Sequence, residues 1–255
     1  MELANYIFDG LLNVRIKGLW WLSLGLSFDL FQLMGIEQTM INFYDNQELL
    51  RQLMKIIKDG YLNYFDMLGK NNLLTLNNDG FVGSTGLGYT SELPSKNFDG
   101  RVKTKDIWGF SESQDTNGVS PKMFEEFIFD YQLPVLARFG LNCYGCCESL
   151  EDRWYIIKNI PNLRRVSVAP WANLKKMADY LEDKYIYSMK PNPADLAIAN
   201  INMEIIRKKM NKALQETKGC VLEIMINSTH TLGKNPSNLI NWIKTVREEI
   251  EKIYG

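Results

Sequence analysis

The chain has 255 residues, 45% of them hydrophobic and 23% charged, which excludes a disordered polymer and predicts a sizeable core. The net charge of −1 excludes the basic field that would draw in nucleic acid or an anionic membrane surface. Four cysteines in a chain of this length exclude a disulfide-dense scaffold.

The opening "MELANYIFDGLLNVRIKG" lacks a basic segment followed by an apolar one, so no secretory leader is expected, and a cytoplasmic, reducing setting is. "GLWWLSLGLSFDLFQLMG" is the most apolar stretch, but Ser23, Ser27, Asp29 and Gln32 interrupt it, so no membrane span is expected. "NVRIKGLWWLSLG" can supply one strand. Trp20 and Trp21 within it read as core and rim packing rather than a stacking platform. "NQELLRQLMKIIKDGYLNYFDMLG" reads as a helix. Asp45 and Glu48 form its capping box, Leu49, Leu53, Ile56, Ile57, Phe65 and Leu68 its apolar stripe, and Gly69 its stop. "NLLTLNNDG" reads as a short strand. Residues 79–102 then form a long, polar, glycine-rich loop, of the kind that serves as a lid.

From Lys105 the pattern alternates. "KDIWGFSES" reads as a strand and "SPKMFEEFIFDYQLPVLARFG" as a helix, with Ser120 as N-cap, Pro121 at N1, a kink at Pro134 and an end at Gly140. "LNCYGCCE" and "SLEDRWYIIKNI" follow, then "LRRVSVAPW" and "NLKKMADYLED" capped by Asn173. After these come "YIYSMKPN" and the long helix "PADLAIANINMEIIRKKMNKALQETKG", and last "CVLEIMINSTHT" and "NPSNLINWIKTVREEIEKIYG". Five consecutive strand–helix units imply a parallel sheet with helical crossovers. The candidates are an open doubly wound sheet and a (β/α)8 barrel. No Gly-x-Gly-x-x-Gly follows any strand, which favours the barrel. Six or seven strands are expected in all, so the predicted fold is an incomplete TIM-barrel-like α/β domain spanning residues 1–255.

Sites in parallel α/β folds lie at the carboxyl ends of strands. The five strand ends supply Ser111, Glu112 and Gln114; Tyr144, Cys146, Cys147 and Glu148; Ser167, Pro170 and Trp171; Lys190 and Asn192; and Asn227, Ser228, Thr229 and His230. His230 is the single histidine. Cys220 opens the last strand at the opposite end and reads as core. Three readings of the thiol cluster stand side by side. The first is a zinc site using Cys146 or Cys147 with Glu148 and His230. The second is a cysteine nucleophile activated by His230. The third is plain packing of small residues. Strand alternation predicts that only one of the adjacent thiols points inward. A disulfide between such neighbours needs a strained backbone and is the weakest reading.

The ordered series "DIWGFSESQD", "LNCYGCCES", "RVSVAPWAN", "YIYSMKPNPADL" and "EIMINSTHTLGKNPSNLINWI" resembles the uroporphyrinogen decarboxylase superfamily, which includes zinc-dependent methyltransferases that move a methyl group from a corrinoid to a thiol. The resemblance covers residues 105–255 and, loosely, 13–68. Tyr144-Gly145-Cys146-Cys147 stands where the family often carries His-x-Cys-Gly. Lys190-Pro191-Asn192-Pro193 resembles its Asn-x-Asp-Pro strand end, and Ser228-Thr229-His230 its late histidine segment. The resemblance implies a barrel lacking its first one or two β/α units, closed by an N-terminal segment, a partner chain or a second copy. It also implies a methyltransferase-like enzyme with a zinc-activated acceptor and a corrinoid carried by a partner protein. Cys146, Cys147, Glu148 and His230 would be the metal ligands, Glu112, Gln114 and His230 the catalytic residues, and Tyr144, Trp171, Lys190 and Asn192 the substrate contacts. Tyr144 replaces the family's histidine, and no cysteine ends the last strand. Arg15 is the only arginine before Arg51, so the arginines that hold porphyrinogen carboxylates have no counterpart. Two alternatives follow: a metal-independent decarboxylase or lyase using Glu112 and His230 as acid and base, and a non-catalytic subunit that binds a partner.

Overall fold

The computed structural model describes residues 2–12, 14, 17–83 and 86–255. Asn13, Arg15 and Ile16 of the first expected strand lie outside the described residues, as do Ser84 and Thr85 of the glycine-rich loop.

Four helices precede the sheet: α1 (Glu2–Phe8), α2 (Leu26–Met34), α3 (Ile36–Asp45) and α4 (Gln47–Lys70). The apolar stretch around Leu26 thus becomes a helix that buries Leu26, Leu30 and Phe31. Asp45 does not cap α4, because it is the last residue of α3. The cap is Asn46, whose side chain accepts from the Leu49 N–H at 3.3 Å. The buried face of α4 is Leu50, Met54, Ile57, Phe65 and Leu68, whereas Ile56 is exposed.

The alternating half forms β1 (Trp108–Ser111), α5 (Pro121–Phe124), a π turn (Glu125–Phe129), α6 (Asp130–Leu136), β2 (Leu141–Tyr144), α7 (Trp154–Ile157), β3 (Leu163–Val168), α8 (Leu174–Leu181), β4 (Ile186–Met189), α9 (Met203–Glu216), β5 (Val221–Ile224) and α10 (Ser237–Tyr254). The strands make one all-parallel sheet in the order β1-β2-β3-β4-β5, joined by helical crossovers. Ser120 and Asn173 cap their helices as the sequence predicts. The helix expected from Pro193 instead splits. A 3-10 turn at Pro193–Leu196 is followed by α9, whose N-cap is Asn202.

Five strands are found among the described residues, against six or seven expected. Residues 18–24 and 73–77 supply the difference only in part. Leu19 and Leu74 form an isolated parallel bridge, and the Leu24 N–H donates to the Phe110 carbonyl at 2.8 Å. The Asn77 amide stands in for a neighbouring strand. It accepts from the Trp108 N–H at 2.9 Å and donates to the Trp20 and Trp108 carbonyls, both at 3.1 Å.

Alternation gives the sheet two faces. Tyr144, Val166, Val168, Tyr187 and Met189 belong to the main core under the helices. Trp108, Phe110, Leu141 and Cys143 form a second cluster with Val82 and Leu93, so the glycine-rich segment lies across the opposite face. Arg165 of β3 fastens that segment. Its guanidinium donates to Glu223 of β5 at 2.7 Å and to the Leu87 carbonyl, and lies 5.1 Å from the Trp108 ring centre. A Cβ on Gly86 would sit 2.9 Å from the Arg165 side chain, so the chain passes close over it.

Breaking this pair from one side leaves a charge with little solvent. Arg165→Met should destabilise the fold by about 3 kcal/mol, and Arg165→Met with Glu223→Leu should recover most of the loss. Urea unfolding of the three proteins checks this. A single variant as stable as the parent would show that Arg165 does not hold the sheet and loop together.

Candidate functional site

β1 ends at Ser111 and β2 at Tyr144, and the two strand ends are tied by one side chain. Glu148 is fully buried. Its Oε1 accepts from the Ser113 N–H at 2.9 Å and its Oε2 from the Cys146 N–H at 2.8 Å. Gly145, at φ +95°, makes the turn that aims the Cys146 N–H at this carboxylate, and its own N–H donates to the Ser111 carbonyl at 2.9 Å. Burial raises the Glu148 pKa, while the two N–H donors and the nearby Arg153 guanidinium act in the opposite direction. Arg153 is itself buried and donates to Thr116 Oγ1 and to the Thr116 and Val119 carbonyls.

Glu112, the residue after β1, is also buried but is held differently. One oxygen accepts from the Gln114 N–H at 2.9 Å. The other lies where a Cβ on Gly25 would come within 3.2 Å, so a glycine leaves room for it. Burial first, and then the nearby Glu148, Asp115 and Cys146, push the carboxyl up to about 8. Burial thus favours the protonated form of Glu112.

Cys146 and Cys147 are both half-buried, with their sulfurs 3.6 Å apart. β2 stops at Tyr144, so strand alternation no longer governs these residues; of the two, Cys146 packs against the inner apolar cluster. The S–H···S contact with Cys146 brings the Cys147 thiol down to about 7, against burial and the two carboxyls. Lys190 lies beyond β4, buried, and its Nζ donates to Ser188 Oγ at 2.6 Å. Burial lowers its pKa to about 8, and Cys143, Glu223, Arg165 and Cys146 all act on it electrostatically. Cys143 packs in the inner apolar cluster and Cys220 against the main core, as expected.

Three of the four expected substrate contacts share one cleft. Trp171, Lys190 and Asn192 line a space of about 650 Å³ between the β4 end, α8 and α9. Trp171 is exposed at its rim, and Asn192 also caps the Pro193 turn through the Ala194 N–H. Tyr144 does not join them. It is fully buried toward the helices, its hydroxyl donating to Gln132 at 3.0 Å and lying 3.1 Å from Ser113 Oγ. Gln132 in turn donates to Ser113 Oγ and the Glu112 carbonyl. Gln114 contributes its backbone N–H to Glu112.

His230 stands apart from the thiols, exposed in the loop after β5, in a shallow depression with Thr229, Thr231 and Pro236. The expected zinc set therefore does not fit as placed: both Glu148 oxygens are taken by backbone N–H groups, and the histidine lies elsewhere. Among the described residues no group of three or more His, Cys, Asp or Glu side chains is arranged to hold a metal ion. Arg165, Glu223, Gln132 and Arg153 were not anticipated. For Arg165 a signal existed, since alternation along "LRRVSV" puts Arg164 and Arg165 on opposite faces.

The raised pKa of Glu112 links its protonation to folding. The folded group keeps its proton to about 8 while the unfolded one releases it near 4.5. Its contribution is complete below pH 4.5 and is lost as pH rises to 8. Glu112→Gln should therefore lose less stability than the parent between pH 5 and 8. Parallel urea-midpoint curves for the two proteins would contradict this.

No protein-family model matches this chain, and no curated protein does either. What can be said of the site comes from its own geometry.

Proposed function

We propose that the chain is an enzyme whose reaction centre lies at the carboxyl ends of β1 to β4. There Glu112 delivers a proton to a small carboxylated substrate, as in a lyase or decarboxylase. The observation that carries this reading is the buried Glu112 carboxyl at the end of a parallel strand, with one backbone donor and a glycine against its other oxygen, which burial pushes up to about 8. In the proposed step the bond to the carboxylate carbon breaks, its electron pair stays on the substrate carbon, carbon dioxide leaves, and the Glu112 proton quenches the carbanion. Water then reprotonates Glu112. Lys190, which acts electrostatically on Cys146 as Glu112 does, supplies positive charge; Trp171 and Asn192 line the cleft beyond β4, which Glu112 does not reach, and take no part in this version. His230 has no part in this version. The resemblance to the uroporphyrinogen decarboxylase superfamily supports the reaction class. The sequential order of the five parallel strands is what a barrel-like closure of the sheet requires.

Incubating the protein in ²H2O with a panel of small carboxylic acids tests the reading. The product should carry one deuterium at the carbon that lost carbon dioxide, and Glu112→Gln should lower turnover by about 10²-fold or more. Undiminished turnover in that variant would end the reading.

A second reading, methyl transfer from a corrinoid carried by a partner protein, is favoured by the contact between the Cys146 and Cys147 thiols. It requires a metal, whereas the first does not. Under it, protein supplied with zinc should hold close to one equivalent, lost in Cys146→Ser with Cys147→Ser. A metal content near zero after zinc addition rejects it.

A further inference from the structure

We infer that Cys146 and Cys147 form a dithiol site that captures soft, thiophilic species needing two sulfur ligands, of which an organic arsenic(III) compound is the simplest. The inference rests on the proposal that this strand end is the reaction centre, but makes no use of the proton donor.

Three observations carry it. The sulfurs are already 3.6 Å apart on neighbouring residues. Both residues are half-buried, so a small reagent reaches them. The backbone of Cys146 is fixed on both sides: its N–H donates to Glu148 at 2.8 Å and its carbonyl accepts from Ser167 Oγ at 3.1 Å.

Together these separate two fates of the pair. A disulfide needs the sulfurs at about 2.05 Å, which on adjacent residues demands a twisted backbone. The two hydrogen bonds of Cys146 oppose that movement. An atom bound between the sulfurs needs no such closure. With bonds of about 2.3 Å it holds its two sulfurs about 3.3 Å apart at a right angle and about 3.8 Å at a tetrahedral angle. The observed spacing falls between these values. The number of ligands narrows the class further. A structural zinc ion takes four donors, and the described residues offer no third beside the pair. Arsenic(III) bearing one organic group takes two.

The step balances without redox change. In hydrated phenylarsine oxide two As–O bonds break and two As–S bonds form, two waters leave with the thiol protons, and arsenic stays trivalent.

The test uses the full, reduced chain and phenylarsine oxide, read by intact mass and peptide mapping. One adduct is expected, on the peptide that contains Cys146 and Cys147. The second As–S bond forms within one molecule, so glutathione should remove the adduct about 10²-fold more slowly from the parent than from Cys146→Ser or Cys147→Ser. Dithiothreitol should remove it readily, and Cys143→Ser and Cys220→Ser should behave as the parent does. Glu112→Gln should keep the adduct, so a failed proton donor and a failed dithiol site give different results. A parent adduct that glutathione strips as fast as from the single-thiol variants, or one that maps to Cys143 or Cys220, overturns the inference. The mapping needs no variant to fold.

Discussion

The carboxylate of Glu148 is the fixed point of this molecule's candidate site. Parallel strands that stop leave backbone N–H groups without a ladder partner, and two such groups, on Ser113 and Cys146, end on its two oxygens. These two bonds, with the Arg153 guanidinium nearby, act against the upward push of burial on the acid. The geometry that follows is inherited from them. Ser113 fixes where Glu112 leaves β1, and Cys146 fixes where the thiol pair leaves β2. The hydroxyl network of Ser113, Tyr144 and Gln132 then locks the same corner from the helix side.

Glu112 and Glu148 show how little residue type decides. Both are glutamates at the carboxyl ends of neighbouring strands, and both are buried. Glu148 has a backbone donor for each oxygen, whereas Glu112 has one donor and a glycine against its other oxygen. Burial raises the pKa of both; what differs is the anchoring, two backbone donors for Glu148 and one for Glu112. The sequence marks both as strand-end carboxylates. It reads Glu148 as a metal ligand because the number of backbone donors around a side chain is a tertiary fact.

The same boundary runs through the fold. The five parallel strands were legible because each is an apolar run followed by a helix, and three of those helices carry local caps, Ser120, Asn173 and Asn202. Residues 18–24 and 73–77 read as strands from their apolar content, but they join the sheet only through an isolated bridge, the Leu24 N–H and the side chain of Asn77, because a run of residues shows a strand but not whether its neighbour continues the ladder. Asp45 was read as a cap because the sequence does not show that α3 runs into it. Cys146, Cys147 and Glu148 were found because they are adjacent in sequence. His230 was grouped with them on the strength of its strand end, but the loop after β5 carries it to the surface.

Glu223 has a second consequence. β5 ends the strand order and is the least buried of the five strands, with Val221 about half exposed. A strand in that position offers backbone groups to any extended chain that meets it, the usual start of sheet-to-sheet association. Here the edge carries an acidic side chain turned toward the sheet's inner face and satisfied by Arg165. A foreign strand laid along β5 would have to bury that carboxylate more deeply without offering it a better partner. The ion pair that fastens the glycine-rich segment thus also places a charged, inward-turned side chain on the sheet's more exposed edge.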